Sequence, residues 1–169
     1  MRSIFLGTRF EAFISLSNLS DVKLVITKKK SFVDKYINKQ RFRVIYFNRK
    51  NKNQIFRIIK NCKYKLIFSS GFPFKIPKSI LNKNKIFINS HPSLLPKYKG
   101  LNAIRDAIEK KEKTIGCTVH YINERLDDGN IIYKKKLRLD DIKNLDTIYK
   151  KIFKIIEPQT ITFALKKII

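Results

Sequence analysis

The residues of this sequence that are best suited to chemistry are an amide and an imidazole two positions apart, Asn89 and His91. On an extended backbone, side chains at positions i and i+2 point to the same side. The amide is a neutral hydrogen-bond donor, whereas an imidazole changes its charge near neutral pH. The pair could therefore stabilise a developing oxyanion and move a proton, although an Asn and a His can also end a strand without any function.

A carboxylate farther along the chain, Asp127, is available to orient the imidazole. Residues 116–122 have the composition of a strand, residues 123–130 are polar with a turn signal, and the chain from Ile131 onward can pair back as a hairpin. Asp127 would then lie on a loop beside the sheet. A carboxylate on a turn is often only a turn former, so this residue is informative only together with the other two.

The elements that must position these residues predict an α/β fold. Strands are predicted at five short apolar runs, at 4–6, 22–26, 43–46, 66–68 and 86–88. Helices are predicted between them, at 9–17, 31–37 and 53–59. This alternation implies a mostly parallel central sheet with helices on both faces. Asn89 and His91 follow the fifth strand, at the carboxyl edge where open α/β sheets bind their ligands.

The second half of the chain adds helices on either side of the hairpin. Asn102 can cap a helix that runs to residue 109 or 110. Asn144 or Asp146 can start a final helix to about residue 167, which Pro158 is expected to interrupt. No repeat or linker divides the sequence, and 169 residues suit one domain with a real core. We therefore expect a single domain over residues 1–169.

Three motifs in the second half resemble the formyltransferase family that uses 10-formyltetrahydrofolate. Residues 91–100 read H-P-S-L-L-P-K-Y-K-G, residues 116–120 read G-C-T-V-H, and residues 126–129 read L-D-D-G. The resemblance is strong from about residue 76 to 135 and weaker on both flanks. It implies one Rossmann-like catalytic domain with a C-terminal hairpin and helix. It also implies that Asn89, His91 and Asp127 are the catalytic residues.

The resemblance further implies where the formyl donor binds. In the family, the strand end and loop that match residues 69–77 line the folate pocket, partly through backbone groups. Phe74 and Ile76 would flank the pterin, with Asn123 and Leu126 on its other side. Phe74 taken alone could equally be a core aromatic. The cosubstrate implied is 10-formyltetrahydrofolate, with no metal.

The acceptor-binding residues implied by the family are Gly7, Thr8 and Glu157. Glycine-rich loops at helix N-termini cradle phosphates, but the first turn here has one glycine. It departs from the richer loop of glycinamide ribonucleotide formyltransferases and is nearer the G-T/S-x-x-F of methionyl-tRNA and amino-sugar formyltransferases. Glu157 matches the position of a glutamate near the acceptor's amine, within a degraded motif, and could equally be a solvated helix residue.

The second half resembles the glycinamide ribonucleotide enzymes most, so the preferred acceptor is glycinamide ribonucleotide, in purine biosynthesis. A nucleotide-linked amino sugar is the alternative. The expected chemistry is attack of a primary amine on the formyl carbon. Asn89 and a protonated His91 would donate to the oxyanion. Asp127 would favour the cationic imidazole and take the amine's proton.

The composition limits the classes of molecule that the protein is expected to bind. The net charge is +25, spread along the chain mostly as lysine, which fits either the residue usage of an A/T-rich coding sequence or a polyanion partner. We expect a small, phosphate-bearing amine acceptor and neither a membrane nor a nucleic-acid partner. A basic nucleic-acid-associated protein and an inactive folate-binding relative are the alternatives. Cys62 and Cys117 show no metal spacing or disulfide framework, so a cytoplasmic setting is expected.

Overall fold

The computed structural model describes residues 1–140 and 144–169. Within them, seven strands form one sheet. The strands are β1 (Arg2–Gly7), β2 (Asp21–Thr27), β3 (Arg43–Tyr46), β4 (Leu66–Ser70), β5 (Ile86–His91), β6 (Thr114–Tyr121) and β7 (Ile131–Arg138). Their order in the sheet is β3-β2-β1-β4-β5-β6-β7. The first five strands run parallel, and β6 and β7 add an antiparallel hairpin, as the sequence predicts.

The helices surround this sheet in the predicted order. They are α1 (Phe10–Leu19), α2 (Phe32–Tyr36), α3 (Lys52–Asn61), α4 (Ala103–Glu109), α5 (Leu145–Lys151) and α6 (Glu157–Lys166). A π-helical segment, Ile152–Ile156, joins α5 to α6. Of the two candidate caps of the last helical region, Asn144 is the one used, because its side chain accepts from the backbone N–H groups of Asp146 and Thr147.

The last helical region differs from the prediction at Pro158. The chain does not break there but remains helical on both sides of Pro158, with the π-helical segment directly before α6. The hydrogen-bonding pattern of the helix changes about one turn before Pro158. In the π-helical segment, the backbone N–H of Glu157 donates to the carbonyl of Ile152, five residues back.

The core lies on both faces of the sheet. On one face Phe5 and Val25 pack with Leu16 of α1 and Ile161 of α6. On the other face Ile4, Ile26 and Phe87 pack with Ile55 of α3. Each residue of β4 is buried, as expected for a strand at the centre of a parallel sheet that is covered on both sides. The sheet is therefore a rigid support, and its carboxyl edge is where residues of β4 and β5 meet loops.

Candidate active site

Asn89 and His91 lie within β5 and not after it, because the strand continues to His91. In the antiparallel register with β6, Asn89 faces His120 and His91 faces Thr118. The pairing therefore brings a second imidazole, His120, beside Asn89. Sequence reasoning did not select His120, although it ends the G-C-T-V-H motif. The signal that could have found it is the register of the two strands.

Asp127 joins these side chains from the loop between β6 and β7. Its backbone has a φ of 48°, in the left-handed region that Asp tolerates better than most residues. Its Oδ2 atom accepts from the backbone N–H of Gly100 at 2.9 Å and lies 3.4 Å from His91 Nδ1. Its Oδ1 atom lies 3.4 Å from Asn89 Nδ2 and 3.6 Å from His120 Nε2. Asp127 thus contacts both of the other residues predicted to be catalytic, Asn89 and His91.

Hydrogen bonds fix the orientation of Asn89. His120 Nδ1 lies 2.8 Å from the carbonyl oxygen of Tyr121, which can only accept, so this nitrogen carries a proton. In a neutral imidazole, Nε2 is then an acceptor, and it receives Asn89 Nδ2–H at 3.2 Å. The amide NH₂ of Asn89 is therefore directed toward His120 and Asp127 and presents two donors at the carboxyl edge.

The environment lowers the pKa of His91. Burial disfavours the charged ring and is the main cause, reinforced by His120 and Arg9, while Asp127 and the carbonyl of Tyr98 act in the opposite direction. Nε2 lies 2.8 Å from that carbonyl. The resting imidazole is therefore largely neutral near pH 7, whereas the sequence-based mechanism assumed a protonated one. The physical reason for the difference is desolvation.

The environment also lowers the pKa of Asp127. Burial, the largest single effect, raises it, but the interactions with His120 and His91 and the hydrogen bond from the N–H of Gly100 together outweigh that effect. Asp127 is therefore ionised at neutral pH. Asp127 is therefore available as a base, and the neutral imidazole of His91 beside it can accept a proton in turn.

The loop after β5 is tied down to β6. Thr118 donates its hydroxyl to the carbonyl of Ser93 at 2.6 Å and accepts from the backbone N–H of Leu95 at 3.1 Å. Leu95 is 2% exposed. Because these bonds hold the loop against the strand opposite His91, the carbonyl of Tyr98 and the N–H of Gly100 keep their places around His91 and Asp127.

The cluster opens into a cleft of about 350 Å³. All four residues predicted to bind folate line it, namely Phe74, Ile76, Asn123 and Leu126. Phe74 also packs edge-to-face against Phe47 and Phe72, so it belongs to the core and to the cleft at once. Asn89, His91, Asp127 and His120 line the same cleft. The residues predicted for the donor and for the chemistry therefore share one concavity.

The first turn, at residues 7 and 8, packs closely against the end of β4. A Cβ added to Gly7 would lie 1.8 Å from the carbonyl oxygen of Ser70, so this glycine permits β1 to approach β4. The backbone N–H of Thr8 donates to the same carbonyl at 3.2 Å, and its hydroxyl donates to Gly71 at 3.3 Å. These groups of Gly7 and Thr8 therefore serve the fold, and the predicted contact of the two residues with an acceptor stays a prediction.

Glu157 is fully buried and not solvated. Its Oε1 atom accepts from Arg9 Nη1 at 2.8 Å, Ser70 Oγ at 2.9 Å and Ser90 Oγ at 2.6 Å. Its Oε2 atom has no hydrogen-bond partner among residues 1–140 and 144–169. Glu157 is therefore in contact with Ser90 and Arg9, both of which line the cleft, and its predicted contact with an acceptor stays a prediction.

Two kinds of feature are absent from the described part of the chain. No group of three or more His, Cys, Asp or Glu side chains within it is arranged to hold a metal ion. None of its helices combines the length and the apolar character that crossing a membrane requires.

A Rossmann-like sheet with an Asn, a His and an Asp at its carboxyl edge is the arrangement expected from the resemblance to formyltransferases. The sequence profile of the formyl transferase family matches residues 11–164. The chain belongs to the formyl transferase family.

Among curated proteins, the methionyl-tRNA formyltransferase of Staphylococcus epidermidis is 40% identical over 88 residues, which are 52% of this chain and 28% of that protein. The phosphoribosylglycinamide formyltransferase of Bacillus subtilis is 43% identical over 68 residues, which are 40% of this chain and 35% of that protein. The chain therefore matches about a third of the length of these two relatives.

Solved structures share the fold over nearly the whole chain. The phosphoribosylglycinamide formyltransferase of Streptococcus pneumoniae superposes with a TM-score of 0.86 at 16% identity, covering 99% of this chain and 97% of that one. The enzyme of the same name from Campylobacter jejuni gives a TM-score of 0.84 at 24% identity, covering 99% and 96%. At these identities the likeness establishes a common architecture.

Proposed function

We propose that this chain transfers the formyl group of 10-formyltetrahydrofolate to a primary amine. The observation that supports this best is the contact of Asp127 with both Asn89 and His91, at 3.4 Å each, in a cleft lined by apolar side chains. Membership of the formyl transferase family supports the same donor. A neutral amine is already a competent nucleophile, so the residues need only supply orientation, oxyanion stabilisation and proton transfer.

The amine would attack the formyl carbon, forming a carbon–nitrogen bond and a tetrahedral intermediate with its charge on oxygen. Asn89 Nδ2 would donate to this oxygen by exchanging its contact with Asp127, which at 3.4 Å is weak. His91 would donate its Nε2–H to the same oxygen by exchanging its hydrogen bond to the carbonyl of Tyr98. Such an exchange is reasonable because catalytic hydrogen bonds often tighten only with substrate bound.

Proton transfer follows from the resting charges. The amine becomes cationic as it attacks, and the ionised Asp127 would accept its proton, directly or through a water. Collapse of the intermediate breaks the bond between the formyl carbon and the folate nitrogen, which takes up a proton. His91 could then relay that proton from Asp127, because the two side chains are in contact.

The cleft suits a folate. Phe74, Ile76 and Leu126 offer an apolar surface to a flat pterin, and Asn123 offers a polar edge. Lys75 and Arg125 also line the cleft and would attract the carboxylates of a glutamyl tail. The net charge of +25 would strengthen that attraction.

Two acceptors fit this chemistry. Glycinamide ribonucleotide, and hence a place in purine biosynthesis, is supported by the second-half motifs and by the full-length likeness to phosphoribosylglycinamide formyltransferases. A nucleotide-linked amino sugar is supported by the first turn, where the N–H of Thr8 is already bonded to Ser70. The alternative from another class of function is a protein that binds folate without catalysing a reaction.

The test is a screen of the purified chain with 10-formyltetrahydrofolate and each acceptor in turn, including methionyl-tRNA. Mass spectrometry of the acceptor detects formylation. We expect saturable transfer to one acceptor, which Asp127→Asn slows strongly. Folate binding without transfer to any of the acceptors would contradict the proposed enzyme and favour a binding protein.

A further inference from the structure

A separate cleft, of about 360 Å³, lies between the loop after β5, helix α4 and the hairpin of β6 and β7. This lysine cleft takes its name from Lys97, Lys134 and Lys136 in its lining. It borders the folate cleft, since Pro92 lines both. None of the residues proposed for catalysis or for folate binding lines it, so the donor chemistry leaves this cleft unexplained.

Lys134 and Lys136 lie side by side on β7. They are two positions apart on a strand, so their side chains share one face, with Cα atoms roughly 7 Å apart. In register with β6 they lie opposite Thr118 and Gly116. That face carries the loop after β5, because Thr118 is hydrogen-bonded to the loop and a Cβ added to Gly116 would lie 2.6 Å from Leu94 Cδ2. The two ammonium groups and the loop therefore occupy the same face of the hairpin.

The charges in the lysine cleft do not cancel. Its acidic lining residue, Glu112, accepts from Lys97 Nζ and from the hydroxyl of Tyr98, at 2.8 Å each. These bonds, chiefly that from Lys97, lower the pKa of Glu112, so the pair is ionised and mutually satisfied. Lys134 reaches a loop carbonyl at 3.3 Å, but neither Lys134 nor Lys136 forms a salt bridge with any residue that the structure describes. The cleft therefore attracts an anion.

The spacing of the lysines and the character of the walls define the class of anion. Two neighbouring ammonium groups can converge on one group that has several acceptor oxygens, and a phosphomonoester supplies these with about two negative charges at neutral pH. The side chains of Leu94, Ala103 and Ala107 give the cleft an apolar wall, which suits a short carbon chain. A volume of about 360 Å³ lies in the range of small-molecule sites. The cleft therefore fits a small phosphate ester better than a macromolecule.

We propose that the lysine cleft binds a small phosphomonoester with a short apolar body, at a site distinct from the folate cleft. Lys134 and Lys136 hold the phosphate, and the wall formed by the loop and α4 holds the carbon chain. The proposal is independent of formyl transfer, because it uses none of the residues assigned to that reaction. The bound molecule lies against the loop whose Tyr98 carbonyl contacts His91, so the site adjoins the segment that positions the imidazole.

The test is a titration of the isotope-labelled full chain with n-butyl phosphate, inorganic phosphate and pentanoate, followed through the backbone amide signals in NMR spectra. Saturable shifts should appear at Ala103, Ala107 and Thr114, because these residues line the lysine cleft. n-Butyl phosphate should bind about ten-fold tighter than either other probe, because pentanoate lacks the second charge and inorganic phosphate lacks the apolar chain.

Two double variants of equal net charge separate a built site from general attraction. Lys134→Gln with Lys136→Gln should weaken the binding of n-butyl phosphate about ten-fold, because it removes two charge-assisted contacts. Lys28→Gln with Lys29→Gln is the matched control, since it removes two exposed lysines that follow β2 and do not line the cleft. The control should leave the affinity nearly unchanged. Equal weakening by both double variants would overturn the site, because overall charge alone would then explain the binding.

The remaining outcomes also decide the proposal. Shifts that increase without saturation, or that occur only outside the lysine cleft, would overturn it. Equal affinities for n-butyl phosphate and inorganic phosphate would overturn it as well, because the apolar wall would then contribute nothing. Formyl transfer is measured separately in the acceptor screen, so failure of the phosphate site leaves the proposed enzyme standing, and saturable binding here survives a failure of the enzyme.

Discussion

His91 and Asp127 approach within 3.4 Å, and the protein lowers the pKa of both. Burial outweighs the attraction of Asp127 on the imidazole, so the pair rests as a carboxylate beside a neutral ring and not as an ion pair. This arrangement suits a reaction in which a proton leaves an attacking amine, because the base is ready before the substrate arrives. The negative charge of Asp127 would then stabilise the imidazolium that forms when His91 is protonated during the reaction.

Asn89→Ala should lower turnover by about 10²–10³, because it removes one oxyanion donor. Folate affinity should change little, since the amide acts mainly on the transition state. The measurement is turnover beside equilibrium folate binding. The variant also leaves His120 Nε2 without its donor, so its urea midpoint must be compared with the wild type; an equal loss of folate binding would indicate structural damage instead.

The Arg9–Glu157 pair gives a prediction about stability. Arg9→Met removes the cation from a carboxylate that is fully buried and should lower the free energy of unfolding by about 3 kcal/mol, the low end of the range because Arg9 is partly exposed. The double variant Arg9→Met with Glu157→Gln should recover much of that loss. Urea unfolding of the two single variants and the double variant measures the coupling; purely additive losses would show that the two residues do not interact.

Gly7→Ala tests whether the glycine of the first turn is required by the fold. The added methyl would meet the carbonyl oxygen of Ser70 at 1.8 Å, at a φ of 140°. We expect a loss of roughly 2 kcal/mol or more in the free energy of unfolding. Gly100→Ala is the matched control: its φ is 89°, but no atom lies within 4 Å of the added methyl, so only backbone strain remains. Equal losses would refute the close-approach explanation.

Asp34 predicts a pH dependence of stability in acid. A hydrogen-bonded ion pair with Lys39, the N–H of Lys30 and the hydroxyl of Tyr46 lower its pKa from 3.8 to about 2. A depressed folded-state pKa means that the stabilisation is complete above about pH 4 and is lost as the pH falls toward 2. Asp34→Asn should flatten this part of the curve of unfolding free energy against pH. An unchanged slope between pH 4 and 2 would contradict the assignment.

Most of the sheet was predictable because its signals are local. Strand β3 lies at the predicted residues 43–46, and the hairpin forms as expected, since runs of apolar and β-branched residues bounded by turns determine strands over short distances. The grouping of Asn89, His91 and Asp127 was also predictable, because the motifs lie at strand ends that share one edge. The catalytic roles of these residues stay predictions.

The remainder depends on contacts between distant parts of the chain. His120 reaches Asn89 through strand register, and Arg9 reaches Glu157 across 148 positions of sequence. No local pattern encodes either contact. The neutral resting state of His91 was not predicted, because it depends on burial of the imidazole ring. That burial results from tertiary packing around the loop after β5 and is not visible in the local sequence.

The most direct test of the central claim is turnover against pH for the wild type and Asp127→Asn, with folate binding measured beside it. Removing the carboxylate takes away an interaction that raises the pKa of His91, so that pKa should fall further and the acid limb of the profile should move to lower pH. Turnover should fall by about 10²–10⁴, the usual contribution of a proton-transfer residue, while folate affinity stays nearly unchanged. Unchanged turnover and an unchanged profile would contradict the account, because Asp127 would then be an ordinary turn residue and the amine's proton would have no acceptor.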